Sequence, residues 1–172
     1  MKIIFCATHY SLKTGYAEIA CRVLNYLAEQ GHTIYYVAIQ SPTDLKTDRT
    51  LHANIHILEQ DAFGYENIIA YNQAFRPDVI LVYSDVVVCA HYVNKLKTVE
   101  KTFKLILYQD ITYKWQNYIP HLNSLADKFV CFNASWETHL AEMGVPEHKI
   151  TTIEHPIELP KNVPQPSKDE FV

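Results

Sequence analysis

The sequence predicts a three-layer α/β fold, a doubly wound parallel sheet with helices on both faces. Three observations predict it. Continuous apolar runs of strand length, "DVILVY" (78–83) and "KLILY" (104–108) above all, have the pattern of strands buried on both faces. Between such runs lie segments whose apolar residues recur every three and four positions, which makes one stripe on a helix. Runs and stripes alternate along the chain, the order of a parallel sheet with right-handed crossovers.

The elements follow in order. Residues 2–7, "KIIFCA", form the first apolar run. Ala17, Ala20, Cys21, Leu24, Leu27 and Ala28 then line one helix face, and Gly31 is a natural left-handed stop. Thr33–Ile39 is rich in β-branched and aromatic residues and makes the second strand. Residues 54–58 are a third, weaker strand, and 65–75 a helix stopped before Pro77. A helix over 87–99 joins the strands 78–83 and 104–108. Strand 128–132, helix 134–143 with Gly144 behind it, and strand 149–154 close the alternation.

Of the 172 residues, 48% are hydrophobic and 20% charged, a globular composition large enough for a real core. The net charge of −4 argues against a general grip on nucleic acid or on a membrane surface. Cys6, Cys21, Cys89 and Cys131 sit inside apolar segments without a CxxC pair, which predicts reduced, buried thiols in a cytoplasmic protein. No signal-peptide pattern and no apolar run of membrane-spanning length is present. Residues 156–172 hold four of the eight prolines beside Lys161, Lys168, Asp169 and Glu170, a linker composition, and the apolar Phe171 and Val172 suit the first step of a further strand.

In an open parallel sheet, ligands bind outside the carboxyl ends of the strands, where loops diverge and helix N-termini point inward. That rule gathers His9, Tyr10, Lys13, Thr14, Gly15 and Tyr16 after the first strand, with Ser84 and Asp85, Gln109 and Asp110, Asn133, and His155 after later ones. Gly15 permits close approach of a ligand to a helix N-terminus, although Thr14 as a simple helix cap explains the same pattern. There is neither GxGxxG nor GxxxxGK[ST], so the dinucleotide fingerprint and the Walker cradle are absent. Asp85 and Asp110 are candidates to orient sugar hydroxyls, to bind Mg²⁺ or to act as bases, or else to cap the next helix. Tyr113 and Trp115 offer rings for stacking on a sugar or for packing. His52 and His56 lack further metal ligands, and the Asn133–Ser135 glycosylation pattern is accidental at a strand end.

The ordered series "MKIIFCATHYSLKTGYAEIACRVLNYLAEQGHTI", "RPDVILVYSD", "KLILYQDI" and "ADKFVCFNASWETHLAEMGVPEHKITTIEHPIE" resembles the N-terminal half of retaining GT-B glycosyltransferases of the glycogen-synthase-like, GT4-type group. The "YSD" and "YQD" variants resemble those of viral or otherwise divergent members. The resemblance implies a Rossmann-like N-terminal, acceptor-side domain over 1–158 and a Pro-rich linker over 159–172 toward a C-terminal, donor-binding domain. It implies transfer of a sugar from a nucleotide diphosphate sugar to an acceptor hydroxyl with retention, without a metal or other cofactor.

By the same resemblance Thr14, Gly15 and Tyr16 lie on the family's glycine loop, against donor phosphates and acceptor. Gln109 and Asp110 stand where relatives carry His-Asp, and are the expected catalytic pair. His9, Tyr10, Lys13, Asp85 and Asn133 complete the expected substrate-binding set. Only one glycine is present where two are common, and His155-Pro156 replaces the family's Asn-Gly. The expected partners are the nucleotide sugar, the hydroxyl acceptor and a C-terminal GT-B domain in cis or in trans, with no nucleic acid. The alternative is a stand-alone, non-catalytic Rossmann-like binding or partner subunit; a flavodoxin-like signalling domain lacks its acidic cluster after the first strand.

Overall fold

The computed structural model describes residues 1–44, 47–109 and 116–156. Seven strands form one sheet: β1 (Lys2–Thr8), β2 (Thr33–Ile39), β3 (Ile55–Glu59), β4 (Val79–Ser84), β5 (Lys104–Gln109), β6 (Lys128–Cys131) and β7 (Ile150–Thr152). Their spatial order is β3-β2-β1-β4-β5-β6-β7, and every neighbouring pair is parallel. Chain order runs outward from β1 in one direction and from β4 in the other, so the sheet reverses between β1 and β4. That reversal opens a crevice at the carboxyl ends of those two strands.

The helices are α1 (Gly15–Glu29), α2 (Ile68–Phe75), α3 (Val86–Leu96), α4 (Ile119–Asn123) and α5 (Ala134–Glu142). Right-handed crossovers leaving β1 and β4 in opposite directions put α1 on one face and the later helices on the other. The buried clusters record this split. Ile19, Ala20, Leu24 and Ala28 of α1 pack on Ile3, Phe5, Ala7, Ile34, Tyr36 and Ala38. Ile68, Val93, Leu122 and Leu140, from α2 to α5, pack with Ile4, Cys6, Ile80, Val82, Leu105 and Leu107. Alternate residues of each strand serve opposite clusters, the period-two geometry of a pleated sheet.

Among the described residues α1 is the helix that covers its face, and it reaches little beyond β4. An apolar trough of about 460 Å³ therefore lies between Val23 and Leu27 of α1, Leu81, Ile106 and Val130 of the sheet, and Ile153 just beyond β7.

Every predicted strand and helix is present; β2 keeps its predicted bounds and the others have shifted ends. α2 starts at Ile68 rather than at residue 65, because Gly64, at φ 72°, turns the chain there. A Cβ on Gly64 would sit 2.7 Å from Val37 Cγ1, so the turn needs glycine. α3 ends at Leu96, where Lys97 caps it, and not at residue 99. β7 shrinks to three residues because as the edge strand it pairs only with β6. α4 has no counterpart in the sequence pattern: five residues with Pro120 in the first turn carry too little periodicity to register. The expected linker 159–172 lies outside the described residues.

Candidate functional site

The rim begins where β1 ends. His9 is fully buried. Its Nδ1 accepts from the Ser11 backbone N–H at 3.1 Å and lies 2.8 Å from Ser11 Oγ. Nδ1 therefore carries the lone pair, and Nε2 bears the proton that it donates to the Glu59 carboxylate, 3.0 Å away at the end of β3. Glu59 also accepts from the Ser41 hydroxyl. The ring ties the end of β1 to the end of β3, two strands away.

The following loop is held by a residue that no pattern in the sequence marks. Arg49 Nη1 donates to the carbonyls of Tyr10 at 2.8 Å and Leu12 at 2.7 Å, and Nε donates to Glu18 of α1 at 2.9 Å. Arg22 donates to the other oxygen of Glu18 at 2.7 Å. That hydrogen bond, with Arg49 adding to it against partial burial, holds the Glu18 carboxyl below the usual range. Fixing the carbonyls leaves Lys13 and Gly15 exposed at the head of α1. Thr14 caps the helix, its hydroxyl accepting from the Ala17 N–H at 3.1 Å. Gly15 is different. A Cβ there would meet nothing within 4 Å, so neither packing nor backbone conformation in this chain demands glycine.

At the next strand ends the sequence candidates divide. Asp85 caps α3 through the Val88 N–H at 2.9 Å, and Asn133 caps α5 through the Trp136 N–H at 2.9 Å. Ser84 and Gln109 lie side by side in the β4–β5 register. Gln109 is fully buried; the weakly polar Cys89 thiol is among its neighbours, and neither amide atom has a hydrogen-bond partner among the described residues. Burial pushes the Cys6 and Cys89 thiols up to about 12, so both stay protonated and unreactive at neutral pH. Asp110, Tyr113 and Trp115 lie outside the described residues.

A row of rings runs along the α1 side of the rim, and of its members sequence reading placed Tyr16 and His155 there but missed Tyr83, Tyr108 and Phe132. Tyr16 packs on Tyr83 at 5.2 Å, Tyr83 on Tyr108 at 4.7 Å, Tyr108 on His155 at 5.7 Å, and His155 stacks on Phe132 at 4.5 Å. Burial pushes the Tyr108 phenol up to about 12, and its hydroxyl is buried without a hydrogen-bond partner among the described residues. Tyr83 and Tyr108 read in sequence as ordinary strand core, and Phe132 as the end of a strand. Only the register of β4, β5 and β6 lines them up between Tyr16 of α1 and His155 beyond β7.

The structure thus brings His9, Tyr10, Lys13, Thr14, Gly15, Tyr16, Asp85, Gln109 and Asn133 to the same edge of one sheet, with three of them serving as helix caps. Hydrogen-bonding groups, a helix N-terminus and aromatic walls at one edge suit a polar, hydroxyl-bearing ligand. Among the described residues no three His, Cys, Asp or Glu side chains are grouped to hold a metal ion, and no helix is long and apolar enough to cross a membrane.

No family model matches the chain, and no curated protein matches it by sequence. Solved structures do match it. The lipopolysaccharide outer core galactosyltransferase WaaB, in its apo form, superposes with a TM-score of 0.67 at 15% identity, over 98% of this chain and 50% of that one. Anabaena HepE in complex with UDP-glucose gives 0.62 at 11% identity, over 92% of this chain and 44% of that one. The Bordetella bronchiseptica enzyme WbmH in complex with NAD⁺ gives 0.54 at 12% identity, over 82% of this chain and 62% of that one. The fold is Rossmann-like. This Rossmann-like chain spans about half the length of WaaB and of HepE. Its likeness to WbmH extends the same fold to a protein that binds a dinucleotide.

Proposed function

We propose that the chain is the N-terminal, acceptor-side domain of a retaining, GT4-like glycosyltransferase of the GT-B type. In this reading it moves a sugar from a nucleotide diphosphate sugar to an acceptor hydroxyl. The observation that carries the reading is the superposition of nearly the whole chain on one half of a galactosyltransferase. The open space before Gly15 and the Gln109 amide, which has no hydrogen-bond partner among the described residues, both at the carboxyl edge, support it.

The chemistry asked of this half is limited. As the bond from the sugar to the nucleotide diphosphate breaks, negative charge grows on the leaving phosphate. Lys13 and the first N–H groups of α1 supply positive potential for it. Gln109 and Asp110 position sugar hydroxyls, and the loop from His9 to Tyr16 contributes backbone donors and acceptor contacts. The other half of the donor site comes from a C-terminal domain, in cis or in trans, and no metal is required. The four buried, unbridged cysteines support a cytoplasmic location.

The test is transfer from UDP-glucose and UDP-galactose, followed by release of UDP. The 172 residues alone are expected to show negligible turnover, and the chain joined to a donor-binding domain is expected to turn over. Robust transfer by the 172 residues alone refutes the half-site. Failure of the joined protein with every nucleotide sugar tried refutes the glycosyltransferase reading. Asp110→Asn in the joined enzyme is expected to lower kcat at least about tenfold, the range of a positioned polar group.

The second reading, a non-catalytic binding subunit, is favoured by one observation: Thr14, Asp85 and Asn133 already spend their side chains as helix caps. Binding of UDP at the rim without turnover in any joined protein supports it.

A further inference from the structure

The trough beside α1 is apolar surface that the described elements leave open. Its floor is Leu81, Ile106 and Val130, its wall Val23 and Leu27, and Ile153 and Pro156 stand at its mouth. Tyr26, 61% exposed, and Ile153, 53% exposed, flank it. At its border the Arg22 guanidinium is held by Glu18 at 2.7 Å. Apolar surface in water is unfavourable, and a layered fold ordinarily lays a further segment over such a face. The sugar-transfer reading makes no use of it.

Two observations identify what that segment is. The first is continuity: Pro156 is itself a lining residue, so the chain that follows it sets out from the trough. The second is a pattern in that chain, "IELPKNVPQP" at 157–166. Pro160, Pro164 and Pro166 oppose a helix and remove donors from a strand ladder. Proline-rich chain favours the polyproline II helix instead, with three residues to the turn. At that period Ile157, Pro160, Val163 and Pro166 fall on one edge as an unbroken apolar stripe. Glu158, Lys161, Asn162 and Gln165 fall on the other two edges, with Leu159 and Pro164 among them.

The dimensions agree. Tyr108 pairs with Val130 and Val130 with Thr151, so the floor from Ile106 up to Ile153 is about 13 Å long. As polyproline II, Ile157 to Val163 spans about 19 Å, enough to turn at Pro156 and run the length of that floor. The prolines also ease the laying of backbone on an apolar surface, since each lacks an N–H that would be left unpaired. Tyr26 and Tyr108 supply the aromatic walls on which such helices dock. We propose that the trough is the docking site of residues 157–166 of the same chain, held as a polyproline II helix with Ile157, Pro160 and Val163 against the floor. The proposal holds whether the rim transfers a sugar or only binds one.

The test is nuclear magnetic resonance on the 172-residue chain with labelled methyl groups, its mass in solution followed by sedimentation. Cross-peaks are expected from the Ile157 and Val163 methyls to those of Leu81, Ile106 and Val130, within a monomer. Ile157→Asp together with Val163→Asp should abolish them, shift the Leu81, Ile106 and Val130 signals, and increase binding of an apolar dye. Unchanged signals of Leu105 and Leu107, which pack on the other face of the sheet, verify that the variant keeps its core. Absence of the cross-peaks in the unsubstituted chain overturns the proposal, even if the double variant fails to fold. Trough signals indifferent to a folded double variant overturn it as well. Cross-peaks seen only between differently labelled copies would give the trough to a second molecule of the chain and also overturn it.

Discussion

Arg49 and Glu18 meet at 2.9 Å, and through that contact a loop residue governs the shape of the rim. The same guanidinium spans the Tyr10 and Leu12 carbonyls, so one side chain fixes α1 and the loop that leads into it. Arg49→Ala is expected to cost about 1–2 kcal/mol, the value of charged hydrogen bonds discounted for partial exposure. Urea unfolding measures the loss, and hydrogen exchange should rise in residues 9–14. Arg49→Lys should recover little, because an ammonium cannot reproduce the fork.

The acid limb of stability has a defined source. Burial alone would push the Asp127 carboxyl up, but Lys101, the Leu105 N–H at 2.8 Å and Lys104 hold it below the usual range. A carboxyl lowered in the folded state stabilises the protein above its unfolded pKa, and that contribution fades as pH falls through the folded value. The melting temperature is therefore expected to drop on acidification below the ordinary carboxylate range. Asp127→Asn should lower it at neutral pH and flatten that drop; an unchanged acid slope would assign it elsewhere, Glu18 first.

Gly15 and Gly64 look alike in sequence and should behave oppositely. Gly15→Ala places a Cβ in open space at the first turn of a helix, so stability should hold or rise by up to about 1 kcal/mol. Any loss of transfer in the joined enzyme then comes from a blocked ligand. Gly64→Ala puts a Cβ against Val37 at positive φ and should destabilise by about 2 kcal/mol or more. Thermal melts of the two variants, side by side, decide it.

Gln109 carries a cost that a merely structural residue would avoid. Gln109→Leu keeps the shape and removes both amide atoms, which have no hydrogen-bond partner among the described residues, so stability should rise by about 1 kcal/mol and the melting temperature with it. Under the proposed function the same change should depress kcat of the joined enzyme. A variant that is less stable, or equally active, would show that the amide has partners or no role in transfer.

The class of fold and its carboxyl edge were legible in the sequence. Apolar runs alternating with helical stripes leave few topologies once crossovers must be right-handed, and a strand's last residue follows from where its run stops. Thr14 and Asp85 were legible both as ligand groups and as caps, because the same short polar side chains serve both; Asn133 was legible as a ligand group alone, and the structure uses all three as caps. Tertiary structure alone decided the rest. Arg49 lies in a loop without periodicity and acts on residues 31 to 39 positions away in the chain. The row from Tyr16 to Phe132 exists only once three strands are set in register, since Tyr83 and Tyr108 alone satisfy the ordinary demand of a buried strand position. The left-handed turn at Arg76 that ends α2 is announced by no helix pattern. Local patterns report what each segment must bury; which segments meet is set by packing between them.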